Sequence, residues 1–552
     1  MKPSGRINTA VFVTLMLSMV LLFSPMNACS SLLPISPEYQ LHDGYGYTIT
    51  GTLSSEACGE YFTGVGDVSG DGIDDFIIGA NANQAGRAYL FYGRPLTAWT
   101  DLLVTDAQAS FVGESFDDWF GRWIARLGDV NDDGYADFAI SSMMNDDGGN
   151  QAGKVYLFFG GSDVTWTMDT PATQADVTII GEAGDDRLGH GVYGIGDTNG
   201  DGYDDFIVSG MMNDEGGTDA GQLYLFLGRA SNQWAATYSA ADATASWIGT
   251  TDDGLALDAS GVGDINDDGF TDFAVGALYN VGGLVRRKVY LIFGSDTVNW
   301  VMDQPIAQSN ASLVGDIDPF LSTITLSVDW ISGAGDVNND GFDDIVFGAY
   351  EEDIGWTQAG QTYLFFGRPT TSWTHDMPFS TANASFIGQS SNQYCGWAVD
   401  GVGDVNGDAF ADFAISAPTQ MTFPSESQSA GHVYLFLGNN SGNWGLQTPV
   451  NQAAYNYTAE EEQPHSGFGF HVQGLGDINN DTLDDFAIGA PDYDNSALNK
   501  GKTYLILPFA EDEDEGNGGS GDGIMLLIII SAVISVIILI VGLLYYRKRR
   551  KP

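Results

Sequence analysis

The sequence predicts an all-β protein: a seven-bladed β-propeller with four strands per blade, its ring closed by an N-terminal strand, followed by one C-terminal transmembrane helix. Three observations carry this reading. A nine-residue acidic loop recurs seven times, starting at Asp67, Asp129, Asp197, Asp264, Asp336, Asp404 and Asp477, at intervals of 62, 68, 67, 72, 68 and 73 residues. Each copy is accompanied by four short apolar pieces rich in aromatic and β-branched residues and bounded by Gly, Asn and Asp, which is the strand signal; helical periodicity is missing. A long period holding four strands is that of a propeller blade, a unit that buries its faces only against its neighbours.

The loop is clearest in its second copy, Asp129-Val130-Asn131-Asp132-Asp133-Gly134-Tyr135-Ala136-Asp137. Side-chain oxygens stand at positions one, three, five and nine, and a glycine at six. Three aspartates so close repel one another unless a cation sits among them, and hard oxygen ligands on a tight loop suit Ca²⁺. Besides the seven first-position aspartates, the expected ligands at position three are Ser69, Asn131, Asn199, Asn266, Asn338, Asn406 and Asn479. At position five they are Asp71, Asp133, Asp201, Asp268, Asp340, Asp408 and Asp481. Position seven gives only a backbone carbonyl, from Ile73, Tyr135, Tyr203, Phe270, Phe342, Phe410 and Leu483. Position nine is Asp75, Asp137, Asp205, Asp272, Asp344, Asp412 and Asp485. An EF-hand is excluded, because position twelve is Ile140 within an apolar run rather than a bidentate Glu. A solvated acidic turn is the plainer reading of one loop, but seven copies in register leave it little room. Ala409 and Thr482 replace the loop glycine, so binding is expected in all seven loops but weaker in blades six and seven. Asp132 is no ligand and is expected to tolerate alanine.

Taken in order, residues 1–28 read as a signal peptide: Lys2 and Arg6, an apolar stretch over 10–23, and Ala28 before a cut. Cleavage there would leave Cys29 first, the place a lipid takes in prokaryotic lipoproteins, although Met26 and Asn27 fit that pattern poorly. The propeller is assigned to residues 40–509. Residues 510–523 form an acidic, Gly-rich linker. Residues 524–544 carry no charge; at 1.5 Å per residue they span about 31 Å, against a hydrocarbon core of ~30 Å. The basic residues in 545–552 make that tail cytoplasmic and place the bulk of the chain outside the cell membrane.

Within each copy the last three apolar pieces are strands A, B and C, and the next copy's Ala-Ser-Phe-like piece is strand D. In copy two, strand A is expected within Phe120 to Leu127. Copy seven lacks a following piece, while Tyr47-Thr48-Ile49-Thr50-Gly51 precedes the first loop without a blade, so this N-terminal strand is expected to complete blade seven. Strand C ends in Gly at 93, 160, 228, 294, 367 and 438, and Trp follows six residues later at 99, 166, 234, 300, 373 and 444. Sugar stacking and an anchor for the C–D connection are the two readings; six equivalent copies favour the anchor. Cys58 and Cys395 occupy the slot that holds Phe120, Leu188, Leu255 and Phe468 in other copies, and are expected to be buried small hydrophobes. The 73 acidic residues against 20 basic give a net charge of −53, which leaves nothing to neutralise nucleic-acid phosphates. Seven divalent ions would offset part of it; a salty habitat is another source.

Phe468-Gly469, Gly476-Asp477 and Asp484-Asp485-Phe486-Ala487-Ile488-Gly489-Ala490-Pro491 resemble FG-GAP repeats. Seven such repeats with these loops resemble the β-propeller of integrin α subunits over about residues 45–509. The resemblance implies Ca²⁺ in the A–B loops and binding of an extracellular protein or glycan on the opposite face, often with a second membrane subunit. The chain departs from animal integrin α chains in having acidic loops in every blade, no leg domains, and Tyr545-Tyr546-Arg547-Lys548-Arg549 where a Gly-Phe-Phe-Lys-Arg sequence usually follows the membrane. A prokaryotic-type, integrin α-like surface protein fits better.

The leading functional expectation is a calcium-binding adhesion or ligand-binding module, not an enzyme. A propeller enzyme such as a lyase or lipase is the alternative, because secreted enzymes can carry similar repeats; the six histidines form no zinc motif and no Gly-x-Ser-x-Gly is present. A structural or sensor subunit of the envelope is the third reading.

Overall fold

The computed structural model describes residues 46–508 and the backbone of 38–40, apart from residues 54–56, 82–84, 252–254, 256–257, 282–283, 298–299, 316–329, 419–430, 441, 443, 460–465 and 494–499; for 279–281 and 284–285 it describes the backbone alone. The signal segment, acidic linker, apolar 524–544 segment and basic tail lie outside the described residues. Among the described residues no helix is long and apolar enough to cross a membrane.

Seven sheets, each antiparallel over strands A to D, form the blades. In blade two, strands A to D are Ile124–Gly128, Asp137–Ser142, Lys154–Phe158 and Val177–Ile180. Strand A of every blade lies against the A strands of both neighbours, and the first, Phe62–Gly66, meets the seventh, Val472–Gly476, so the ring is closed around an axis. The N-terminal strand Gly46–Thr50 pairs antiparallel with Lys502–Ile506 and serves as strand D of blade seven, with Ile49 fully buried.

Two expectations are corrected. Strand A of blade two begins at Ile124, not Phe120; Phe120 instead makes a lone bridge to Gly86 of blade one. And the sheets have five strands rather than four. Two or three residues from the following blade's C–D connection add a parallel edge strand outside strand D: Thr170–Pro171 on blade one, Thr237–Ser239 on blade two, Gln304–Pro305 on blade three. Blade six receives its edge from Glu38–Gln40, so the N-terminal segment closes two blades. Each exposed edge is thereby covered, which removes a template for pairing with other chains.

The core is a set of seven layers, one at each blade–blade junction. Alternation along strand B divides its side chains between them: Phe76 packs toward blade seven with Phe91 and Leu505, whereas Ile77 packs toward blade two with Phe111 and Phe138. The tryptophan series lies at the same junctions. Trp99 is 3% exposed, donates its Nε1–H to the Arg94 carbonyl at 2.9 Å and lies under the Arg94 guanidinium. Trp234 and Trp373 sit under Arg229 and Arg368 in the same way, and Trp166 packs on Phe138. These rings anchor the C–D connection. Cys58 and Cys395 are buried, as expected.

Candidate metal loops and the opposite face

The A–B hairpins build the loops. Strand A ends in a bulge at a glycine, Gly128 in blade two, where Gly128 pairs with Asp137. The bulge turns the chain into position one. Asp129 accepts the N–H of Asp133 at 3.1 Å on Oδ1 and that of Gly134 at 2.8 Å on Oδ2. The same bonds recur at Asp67, Asp197, Asp264, Asp336, Asp404 and Asp477. Position five accepts the N–H of position seven in every loop, as Asp133 does from Tyr135 at 3.1 Å.

Position nine lies deepest. Asp75, Asp137, Asp205, Asp272, Asp344, Asp412 and Asp485 are all 0% exposed. Asp137 accepts from Val130 N at 3.0 Å and from Gly160 N at 2.9 Å, which ties the loop to the end of strand C. Burial pushes these carboxyls up, to about 7 for Asp75, Asp205 and Asp412, about 8 for Asp137, Asp272 and Asp344, and about 9 for Asp485. Repulsion from the carboxylates at positions one and five adds to this, and the accepted N–H bonds oppose it.

Among the described residues no three His, Cys, Asp or Glu side chains stand in an ion-holding group; the carboxylates at one and nine are turned onto backbone N–H donors. The donor set nevertheless fits a hard cation. Asn131 and Asn479 give their amide N–H to Asp137 and Asp485, and the Oδ1 of each is buried without a partner, as is Oδ2 of Asp481. A buried oxygen acceptor with no donor is costly, and these lie at positions three and five, where a ligand is expected. Every other atom of the set is an oxygen.

The loop glycine has positive φ, 88–91° in the five loops that keep it, and Ala409 and Thr482 adopt 70° and 76° at the same place. Position four is left-handed as well: Asp132 has φ 56°, and its equivalents are Gly70, Gly200, Asp267, Asn339, Gly407 and Asn480. This corrects the expectation for Asp132, since alanine there would be strained although no ligand is lost. The loops are also fastened to one another. The position-eight N–H of each blade donates to the position-one carbonyl of the preceding loop, from Ala136 to Asp67 through Asp484 to Asp404, and Asp74 closes the circle onto Asp477.

The opposite face has a different character. A cavity of about 340 Å³ runs along the A strands, from Tyr61, Trp123, Tyr193, Trp330 and His471 and the buried carboxyls of Asp258 and Asp400 to Gly128 and Asp204 beside the acidic loops. Trp123 of blade two stacks on Trp330 of blade five at 5.9 Å, across the axis. Asp258 accepts from Tyr193 Oη at 3.1 Å and from Ile331 N at 2.6 Å; Asp400 accepts from Ser332 Oγ and Gly474 N, both at 2.7 Å. These carboxyls staple neighbouring A strands. Burial holds His471 neutral, its pKa lowered to about 3. Outside the cavity, Phe116 is 72%, Trp119 38% and Trp356 55% exposed, all on D–A or B–C connections. The Arg122 guanidinium bridges exposed Trp119 and cavity-lining Tyr61. The axial ring was not legible in the sequence, because its members come from different blades and differ in identity.

The family model for the FG-GAP repeat matches residues 120–158, 329–365 and 396–436, each of which holds strands A to C of one blade. This is an integrin α-like FG-GAP propeller. It is 31% identical over 182 residues to integrin alpha-PS2 of Drosophila melanogaster, covering 31% of this chain and 12% of that one. It is 26% identical over 272 residues to integrin alpha-V of Gallus gallus, 46% of this chain and 22% of that one. Over 228 residues it is 27% identical to phosphatidylinositol-glycan-specific phospholipase D of Bos taurus, 40% of this chain and 25% of that one. The matched part of the FG-GAP propeller thus spans a quarter or less of each of these relatives.

Proposed function

We propose that this protein is a calcium-binding, cell-surface adhesion or ligand-binding protein, and that it recognises an extracellular protein or glycan with the face opposite its acidic loops. The observation that carries the recognition reading is exposed Trp119 on that face, joined through Arg122 to Tyr61 of the aromatic-lined axial cavity, with Phe116 and Trp356 exposed on connections of the same face. Exposed aromatic side chains beside a concave surface mark interaction sites, whereas the exposed side chains on the C–D connections, Leu103, Met168, Val301 and Leu446, are aliphatic and lie one to a blade. Ca²⁺ would be held by positions one, three, five, seven and nine of each loop, where it would replace mutual carboxylate repulsion by attraction. Residues 524–544 would anchor the propeller in the cell membrane, and the integrin likeness supports a second membrane subunit as one class of partner.

The test is a binding screen of the full chain against extracellular proteins and glycans, with and without Ca²⁺. Binding that Trp119→Ala or Trp356→Ala abolishes at unchanged melting temperature is expected. Binding untouched by both variants would move the site elsewhere. A catalytic reading draws on the similarity to the phospholipase D. Incubation with a phosphatidylinositol-glycan-anchored protein is expected to release nothing, and release would overturn the non-enzymatic reading.

A further inference from the structure

Position eight of the acidic loop is not a ligand position, and its residue alternates along the chain. It is Asp in the odd blades (Asp74, Asp204, Asp343, Asp484) and Ala136, Thr271 and Ala411 in the even ones. Each of these side chains faces the preceding blade, where it lies against the glycine that precedes position one. A Cβ on Gly128, Gly263, Gly403 or Gly476 would overlap the carboxylate of Asp204, Asp343, Asp484 or Asp74 respectively. Three of these carboxylates are seen to accept a hydrogen bond from position one of that preceding loop. Asp204 Oδ2 accepts from Asp129 N, Asp343 Oδ2 from Asp264 N and Asp484 Oδ2 from Asp404 N, each at 2.8 Å. Ala136 and Ala411 have no oxygen to offer there, so the odd-numbered loops one and five lack the clamp.

We propose that the odd-blade position-eight aspartates are positioning residues for the metal loop of the preceding blade, so that calcium affinity in loops two, four and six depends on a residue of the next blade. This rests on the calcium reading above. Asp129 is the ligand whose backbone is held: its carbonyl takes the Asp204 N–H and its N–H is taken by the Asp204 carboxylate. Its side chain therefore leaves a fixed backbone, and the Asp204 carboxylate would add negative charge near a cation bound by that loop. Partners that orient a metal ligand typically carry about 10–100-fold in affinity.

Equilibrium dialysis of the full chain in detergent, with bound metal counted across a calcium series, tests this as a double-mutant cycle. Asp204→Ala is expected to weaken one ion by about 10–100-fold and to leave the count at saturation unchanged. Asp133→Ala should remove one ion, and Asp204→Ala added to it should weaken no further site. Asp204→Asn, which keeps an acceptor oxygen, should recover most of the affinity. The converse variant, Thr271→Asp, is expected to tighten loop three, and that gain should vanish in an Asp201→Ala background. Equal weakening by Asp204→Ala with loop two intact or emptied would show that it acts on its own loop, and would overturn the proposal. So would an unchanged binding curve, or, if Asp204→Ala fails to fold, a Thr271→Asp protein with wild-type affinity. A wild-type chain that binds no calcium is a separate result that would remove the calcium reading beneath it.

Discussion

At the scale of the residue, the acidic loop is governed by two kinds of constraint that its sequence shows unequally. The oxygen pattern was legible, because charge of one sign at fixed offsets has few structural uses. The backbone requirement at position four was not, because Gly, Asp and Asn all satisfy it and so disguise a single left-handed site as variation. That site changes the control experiment: Asp132→Gly, not Asp132→Ala, should leave both stability and calcium binding near wild type, whereas Asp133→Ala empties loop two. Equal calcium loss in the two would sink the ligand assignment. Ala409 and Thr482 give a second prediction. Both hold positive φ where five loops use glycine, and a Cβ at the equivalent Gly134 meets nothing within 4 Å, so the penalty there is backbone strain alone. Ala409→Gly and Thr482→Gly are each expected to stabilise the fold by about 1 kcal/mol, read by chemical denaturation; a loss of stability would show that the side chains are held by contacts instead. The position-nine carboxyls give a third. With native values near 7 to 9 and an unfolded value near 4, they hold a proton in the folded, calcium-free protein that they release on unfolding. Their contribution is therefore complete below about pH 4 and is lost as pH rises through the native values. The melting temperature of chelated protein should fall between pH 5.5 and 9, and that of calcium-loaded protein should fall less, since the cation replaces the proton. Parallel curves would contradict it.

At the scale of the element, the repeat register did most of the work. Four apolar pieces per copy, with one spare at the start and one missing at the end, were enough to place Gly46–Thr50 in blade seven. The fifth strands were not legible. Two residues such as Thr170–Pro171 carry no periodicity, and their partner lies in the preceding blade. The N-terminal segment now has two jobs, as the edge of blade six and as strand D of blade seven. Deleting residues 30–53 should expose both edges and the Ile49 pocket, and lower the melting temperature by roughly 10 °C or more, at about 2–4 °C per kcal/mol for chains somewhat smaller than this. An unchanged melting temperature would contradict closure by this segment. The tryptophans are tested at the same scale. Trp99→Ala removes a buried ring and should cost about 3–5 kcal/mol; a variant of normal stability that had lost glycan binding would restore the sugar-stacking reading.

At the scale of the molecule, the loops and the blades are one system. No single core holds the ring together; seven layers of buried residues do, each built from two neighbouring blades, and at the axis Trp330 of blade five touches three of them. What runs all the way round is the hydrogen-bonded chain of acidic loops, in which the carbonyl of position one receives an N–H group from the next blade in every loop. Filling a loop therefore fixes a junction as well as a turn. Emptying it leaves three carboxylates, one of them fully buried, with only hydrogen-bond donors and a proton to balance them. One site at 100 times its dissociation constant stabilises the folded state by about 2.7 kcal/mol, and a whole domain's margin is ~5–15 kcal/mol. Several sites acting on a closed ring are thus enough to decide whether it stays closed, even where their energies do not add. Chelation is expected to lower the melting temperature steeply and to open the propeller to protease. Ca²⁺ should reverse both effects, and Mg²⁺ should do so poorly, because it demands a tight octahedral shell that a loop of this length does not provide. First cuts at the blade junctions, before the blades themselves unravel, would show that the collar of loops is what gives way. A protease pattern and melting curve indifferent to chelator would show instead that the seven apolar layers are sufficient alone.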